Sequence, residues 1–400
     1  MESNTSDISN NLINNNDTDD TDQIWKPNIF VLGPGGAKGY LELGLILKFE
    51  QENYLSEVDC YIGCSVGASI SLLTVAGYPV TQIINDYIDI NLVNDITDVN
   101  IEHFNESPGL LSNKTIEKLL KTRIQEKYGM IPTLKQLYMA TGILLVIVTF
   151  NLDKTRKEYL TKDSDPNLSC VEAVMMSMAV PALICPRIYN GNVYIDGAVG
   201  DPYPVLFMDN GYNDILGVYI DSEHSSHSSD RSFSRYLMRC AQASMNILRD
   251  QAIEMASERC KHISLKTTVI DTTGISLSND VKRTMIENGY RTGAIFLMRM
   301  KDPVKYQLLL NENEELPLVG DITNVDGVLD TETEQLLQML SNDNYNLNND
   351  NNMVFNSESD EDLFVSDMSD ENEDTIMIPI TPEFSQNIER MRRYRNHSHN

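Results

Sequence analysis

The sequence predicts an α/β protein, a mostly parallel central sheet covered by helices on both faces, with disordered acidic tails at its two ends. Three observations predict it. The body opens with a strand, a glycine-rich loop and a helix, then repeats that grammar at once with a strand, a tight turn and a helix. Apolar runs of strand length and stretches of helical periodicity continue to alternate further along the chain. The charge gathers in the two ends and leaves the middle nearly neutral.

In chain order, Ile29-Phe30-Val31-Leu32 reads as a strand and Gly33 to Gly39 as a glycine-rich loop. Leu41, Leu45, Ile46 and Phe49 then recur at helical spacing. Asp59-Cys60-Tyr61-Ile62 is a short strand. The small, apolar stretch from Ala68 to Ala76 ends at Gly77, as a buried helix does. Further helices are expected at 80–92, 113–127, 133–140, 169–178, 232–258 and 279–300, and further strands at 143–150, 158–161, 193–196, 215–221 and 262–266. Asn113 or Ser112 is expected to cap the helix that stops at Gly129. The longest apolar run, 142–150, is β-branched and too short to cross a bilayer, so it reads as a buried strand. A short helix, TETEQLLQML, is expected within 305–340.

The formal net charge is −28. Residues 1–23 hold six acidic residues and no Lys or Arg; between Lys305 and Arg390 there are 21 acidic residues and again no Lys or Arg. Residues 390–400 reverse this with four arginines, which leaves −5 for 24–305. Tails this acidic and rich in Asn bury too little apolar surface to offset the entropy of ordering. The expected organisation is therefore a disordered tail at 1–23, a folded domain at 24–305 with its motifs in 28–210, an extension at 306–340, and an acidic Asn-rich disordered tail at 341–400. The body shows no basic stripe, which argues against nucleic acid as a partner. Six cysteines are scattered without framework spacing, as free thiols are in a reducing compartment. The N-terminus lacks a basic region followed by an apolar run, so no signal peptide and no transmembrane helix are expected, and the location expected is cytoplasmic or peripheral to membranes.

Gly63-Cys64-Ser65-Val66-Gly67 is a G-x-S-x-G turn from a strand into a helix, a form that exposes the serine oxygen. The loop Gly33-Pro34-Gly35-Gly36-Ala37-Lys38-Gly39 also joins a strand to a helix. Backbone N–H groups at such a site cradle a phosphate or stabilise an oxyanion. Neither G-x-G-x-x-G nor G-K-[ST] is met, so an oxyanion is the better match. Asp196 follows Val193-Tyr194-Ile195 and precedes Gly197-Ala198, at a strand end of the kind where α/β sites form. The same tripeptide also suits a turn in which the Asp side chain bonds its own backbone.

Together these motifs resemble the patatin-like phospholipases, which carry in this order a glycine-rich oxyanion loop, a G-x-S-x-G elbow and an Asp-Gly-Ala/Gly motif. The likeness extends to FNLDKTRKEYLT at 150–161 and to the stretch 171–205. It implies a serine lipid acyl hydrolase of the phospholipase, lysophospholipase or lipase type. Ser65 is then the nucleophile and Asp196 the general base, with no histidine, metal or cofactor. It implies Gly35, Gly36 and Ala37 as oxyanion donors, with Gly33, Lys38, Gly39, Gly63, Gly67, Gly197 and Ala198 supporting the motifs. The implied partners are a lipid ester substrate and, transiently, a membrane or lipid surface. Pro34 departs from the usual glycine and offers no N–H. Lys38 replaces the commoner Arg, and Pro202 and Tyr203 stand where Asn is frequent. Three rivals are an α/β-hydrolase triad completed by His224, His227 or His262, an acyltransferase using the same dyad, and a catalytically weak hydrolase-like binding module. Leu110, Leu111, Met175, Met176 and Met178 are candidates for an acyl channel, although each fits core packing better.

Overall fold

The computed structural model describes residues 24–90, 109–111, 113–222, 233–267, 277–304 and 306. The two expected tails and the short helix after 305 lie outside these residues. The first two units form as expected, with β1 (Ile29–Leu32), α1 (Gly39–Gln51), β2 (Cys60–Cys64) and α2 (Val66–Val75). Then come α3 (Val80–Ile88), β3 (Gly109–Leu111), α4 (Lys114–Tyr128), α5 (Leu134–Thr141), β4 (Leu144–Asn151), β5 (Arg156–Leu160) and α6 (Cys170–Ser177). The remainder is β6 (Ala182–Ile184), β7 (Arg187–Tyr189), β8 (Asn192–Asp196), β9 (Ile215–Ser222), α7 (Phe233–Met255), β10 (Cys260–Thr267) and α8 (Asn279–Lys301).

The main sheet has the order β10-β9-β1-β2-β4-β8-β7, with β5 also paired to β4. The pairings from β10 to β4 are parallel, whereas β5, β7 and β8 add an antiparallel flank. The sheet is thus mixed and mostly parallel. Side chains alternate between its faces. Phe30, Leu32, Tyr61, Ile147 and Val218 point into a large core built with α1 to α6 and α8. Ile29, Val31, Ile62, Val146 and Val148 point the other way, where α7 and a short helical turn at Pro204–Phe207 provide the cover. Among the described residues the helical cover is therefore unequal: thick on one face and thin on the other. No described helix is long and apolar enough to cross a membrane.

Several local features differ from expectation. Asn113 stands at the start of α4 in the left-handed region (φ 56°) and makes no side-chain cap bond. The start of α5 instead carries a reciprocal capping box between Thr133 and Gln136. The β7–β8 hairpin was not expected, although Asn190-Gly191, with φ of 49° and 69°, is the dipeptide that favours a two-residue hairpin turn. β3 and β6 form a separate two-stranded parallel sheet.

Helices α1 and α8 cross with their backbones in close contact at two glycines. A Cβ on Gly44 would lie 1.9 Å from the Ile286 carbonyl oxygen, and one on Gly289 would lie 1.9 Å from that of Leu41. Both obstacles are backbone, so relief requires the helices to separate. Gly44→Ala and Gly289→Ala are each expected to destabilise the protein by about 1–3 kcal/mol, the usual range for overpacking. A fall in the urea midpoint with unchanged m-value checks this.

Candidate active site

β2 ends at Cys64 and α2 begins at Val66, so the chain turns on Ser65 alone. Its backbone sits at φ 56°, ψ −124°. A non-glycine residue held there costs about 1–3 kcal/mol and persists only where its surroundings impose it. They do so through one buried hydroxyl. The Ser65 N–H donates to Ser177 Oγ at 2.9 Å, and the Ser177 hydroxyl donates to the Val148 carbonyl at 2.5 Å. The last residue of α6 thereby ties the turn to β4. Glycine at 63 and 67 is required by space: a Cβ would come within 2.4 Å of Ala68 Cα and 2.6 Å of the Gly33 carbonyl oxygen, respectively.

Asp196 reaches Ser65 by a route the sequence did not suggest. β8 runs antiparallel to β4, so its C-terminal end is not at a parallel-strand edge. β4 outruns β2, however. Val148 is the register partner of Cys64, and the next residue, Thr149, is the partner of Asp196. β8 folds back along this overhang and delivers Asp196 beside the turn. The Thr149 hydroxyl donates to the Ile195 carbonyl, and the Asp196 N–H donates to the Ala179 carbonyl, both at 2.9 Å. Gly197 lies against Val148, where a Cβ would meet the carbonyl oxygen at 2.3 Å.

The Asp196 carboxylate is 3% exposed. It accepts the Ala198 N–H at 2.8 Å, Cys64 Sγ lies 4.0 Å away, and the Ser65 hydroxyl is near enough to pull its pKa down. The tripeptide forms the turn in which the Asp side chain bonds its own backbone, and the same side chain lines the cavity with Ser65. Burial pushes its pKa up to about 6, against the opposing pull of the Ser65 and Ala198 donors. Asp201, five residues on, is engaged elsewhere: Lys157 at 2.8 Å and the Tyr159 hydroxyl both donate to it.

The glycine-rich loop faces the same space. The Gly33 N–H anchors it to the Val218 carbonyl at 3.0 Å, and Gly36–Lys38 forms a single helical turn leading into Gly39 and α1. Among the described residues, no acceptor takes the N–H groups of Gly35, Gly36 or Ala37. Gly35, Gly36 and Lys38 line a cavity of about 220 Å³ together with Ser65, Asp196 and Ala198; Ala37 is not among the lining residues. Most of the wall is apolar and includes Val180, Leu183, Val199, Ile220 and Met245. Pro34 and Pro202 also line it, and Tyr203 is buried behind it.

His262 lies on β10, where its Nδ1 is bonded to the Tyr203 hydroxyl at 2.8 Å. Burial holds its pKa below the ordinary value, and it does not line the cavity. His224 and His227 lie outside the described residues. Met175, Met176 and Met178 belong to the main core, not the cavity. Two contributors were missed. Ser177 was visible only as a lone hydroxyl ending an apolar helix, and the α7 wall (Gln242, Met245, Asn246, Arg249) had no motif. The Arg249 guanidinium lies over the Tyr219 ring at 4.9 Å and pairs with Asp250 at 2.9 Å and Asp221 at 3.5 Å.

The family model described as patatin-like phospholipase matches residues 30–209. Over 184 residues the chain is 28% identical to the probable lipid hydrolase 463L of Invertebrate iridescent virus 6, covering 44% of this chain and 61% of that protein. It is 26% identical over 192 residues to the uncharacterized protein R571 of Acanthamoeba polyphaga mimivirus, covering 47% and 63%. The chain thus spans less than two thirds of either curated relative. Among solved structures, VipD from Legionella pneumophila is similar with a TM-score of 0.49 and 14% identity, over 70% of this chain and 67% of that one. The type III effector protein ExoU gives 0.42 and 15%, over 70% and 54%.

Two stability outcomes follow from this geometry. Ser177→Ala leaves the Ser65 N–H and the Val148 carbonyl without their buried partner, at an expected cost of about 1–3 kcal/mol in chemical denaturation. Asp196→Asn is expected to act in the opposite direction. A pKa raised on folding stabilises below the ordinary carboxylate value and is a liability once pH rises through about 6. At about 1.4 kcal/mol per tenfold, holding the native carboxylate ionised costs about 3 kcal/mol at most. The variant should therefore melt higher than the parent at pH 8 and no higher at pH 4.

Proposed function

With residues 30–209 matched by the patatin-like phospholipase family model, we propose that the protein is a serine lipid acyl hydrolase working through a Ser65–Asp196 dyad and an acyl-enzyme. The observation that carries this reading is that Ser65, on its strained turn, and the buried Asp196 carboxylate line the same apolar cavity. Asp196 takes the Ser65 proton as Oγ bonds to the carbonyl carbon of a fatty-acyl ester. The oxyanion is met by the free N–H groups of the loop, Gly35 and Gly36 foremost; the Ser65 N–H is committed to Ser177. Collapse of the tetrahedral species breaks the ester bond, and the departing alkoxide takes the proton from Asp196. Water then attacks the acyl carbon while Asp196 accepts its proton, and the proton returns to Ser65 as the fatty acid leaves.

Burial supports this assignment energetically. A base with a pKa of about 6 is a stronger proton acceptor than an ordinary Asp, yet it remains ionised at neutral pH. Desolvation also strengthens the loop donors, each typically worth about 10²–10³-fold in rate. Transfer of the acyl group to an alcohol in place of water uses the same groups. Product analysis with a diacyl lipid separates the two outcomes.

A fluorophosphonate probe is expected to label the parent and not Ser65→Ala, and Ser65→Ala should release no fatty acid. Full activity in that variant would end the hydrolase reading. Asp196→Asn is expected to lose about 10²–10⁴-fold in kcat, the usual worth of a general base, while His262→Gln keeps most activity. In the parent, kcat/KM should rise through about pH 6 and level off above it, because the base must be deprotonated to act. A limb that survives Asp196→Asn in a still-active enzyme would assign the base elsewhere.

A further inference from the structure

Helix α7 has two distinct sides. The inner side carries Ala241, Met245 and Arg249 on the cavity. The opposite side carries Tyr236, Cys240, Ala243 and Ile247, at helical spacing and all exposed. Tyr236 is 63% and Ile247 58% exposed. Arg239 stands exposed beside this stripe, and among the described residues no carboxylate pairs with it. Residues 233–249 contain three arginines and no Asp or Glu, although the chain as a whole carries −28. The last turns are different. Asp250 and Glu254 are exposed, Ala252 is buried, and Ser257 just beyond is held by Asp209 at 2.6 and 2.7 Å. The helix is anchored and acidic at its C-terminal end, and apolar over the rest of its outer side with Arg239 at the edge.

We propose that the outer side of α7, from Tyr236 to Ile247, docks on an anionic lipid surface. An amphipathic helix with aromatic and aliphatic residues on one face and arginine at its edge settles at the headgroup boundary by burying the first and pairing the second with phosphates. Each Arg near an anionic leaflet contributes about fivefold in affinity, screened by salt. The carboxylates at 250 and 254 are repelled by the same surface, so the helix docks tilted, with its first turns deepest. The cavity lies on the other side of this helix and shares its rim with Val199, which is 43% exposed. Docking therefore holds the cavity wall itself against the lipid from which an acyl chain has to be drawn. The purpose of the contact rests on the lipid acyl hydrolase reading; the contact itself does not.

The test uses the full-length Ser65→Ala protein, which leaves lipid intact, floated with vesicles of phosphatidylcholine alone or mixed with phosphatidylserine. Binding is expected to the mixed vesicles, less to phosphatidylcholine alone, and to weaken with added salt. Tyr236→Ser with Ile247→Ser should weaken it about tenfold by removing buried apolar area. Arg239→Glu should weaken it about tenfold by reversing one charge at the surface. In the Ser65 background these variants should keep the parent's melting temperature and its rate on a monomeric short-chain ester. No binding by the parent protein, or equal binding by the variants, overturns the proposal. So does a dimer that these substitutions dissociate in a protein that never floats, since a second copy would then be the occupant. Vesicle binding without esterase activity in the Ser65 protein would leave the docking surface standing and remove the hydrolase reading alone.

Discussion

The site depends on one buried hydroxyl. Ser177 takes the Ser65 N–H and gives its own proton to the Val148 carbonyl, so a single side chain joins the turn at Ser65, the end of α6 and the overhang of β4. The left-handed backbone at Ser65 is unfavourable for a residue with a Cβ and is held by this bridge on one side and by α2 on the other. The bridge also has a chemical consequence for the proposed mechanism. It occupies an N–H that sits next to the reacting oxygen, and so leaves oxyanion binding to the glycine-rich loop.

The overhang of β4 is the second constraint. A wholly parallel sheet would leave the far side of Ser65 open. Because β4 continues past the end of β2, an antiparallel strand can return along it and present a carboxylate one residue beyond the Cys64–Val148 pair. The carboxylate arrives in a place too dry for it. Burial raises its pKa to about 6, and only the Ser65 and Ala198 donors oppose this. The raised basicity that favours proton transfer and the cost in native stability are the same desolvation energy, which is why a proposed catalytic role and a stability liability coincide in Asp196.

The unequal cover of the sheet explains why the site has an accessible wall. Among the described residues, seven helices seal one face into a large core, whereas the other is closed mainly by α7 and a short turn. Among the described residues, α7 has a thin inner contact and an exposed outer side. On α7 that side is apolar with an exposed arginine, Arg239, in an otherwise acidic chain. The cavity and the surface proposed to meet lipid are thus two sides of one element.

Much of this was legible in the sequence, because local patterns dictated it. The strand–loop–helix and strand–turn–helix openings, the long periodic helices and the β-branched strand 144–151 all carry their signals within a few residues. So do the glycine loop, the Ser65 turn and the Asp196 turn, whose glycines answer close approaches to neighbouring backbone. What the sequence could not reveal required chain segments far apart to meet. That Asp196 lies on an antiparallel strand depends on β4 being longer than β2. That Ser177 matters depends on α6 ending beside Ser65, 112 residues away in the chain. The raised pKa of Asp196 is a property of burial, and the role of α7 as a cavity wall depends on which face of the sheet it covers. Composition and spacing determined which residues were available for chemistry. Only the tertiary structure decided which were brought into contact and how dry their surroundings became, since both depend on packing between segments distant in the chain.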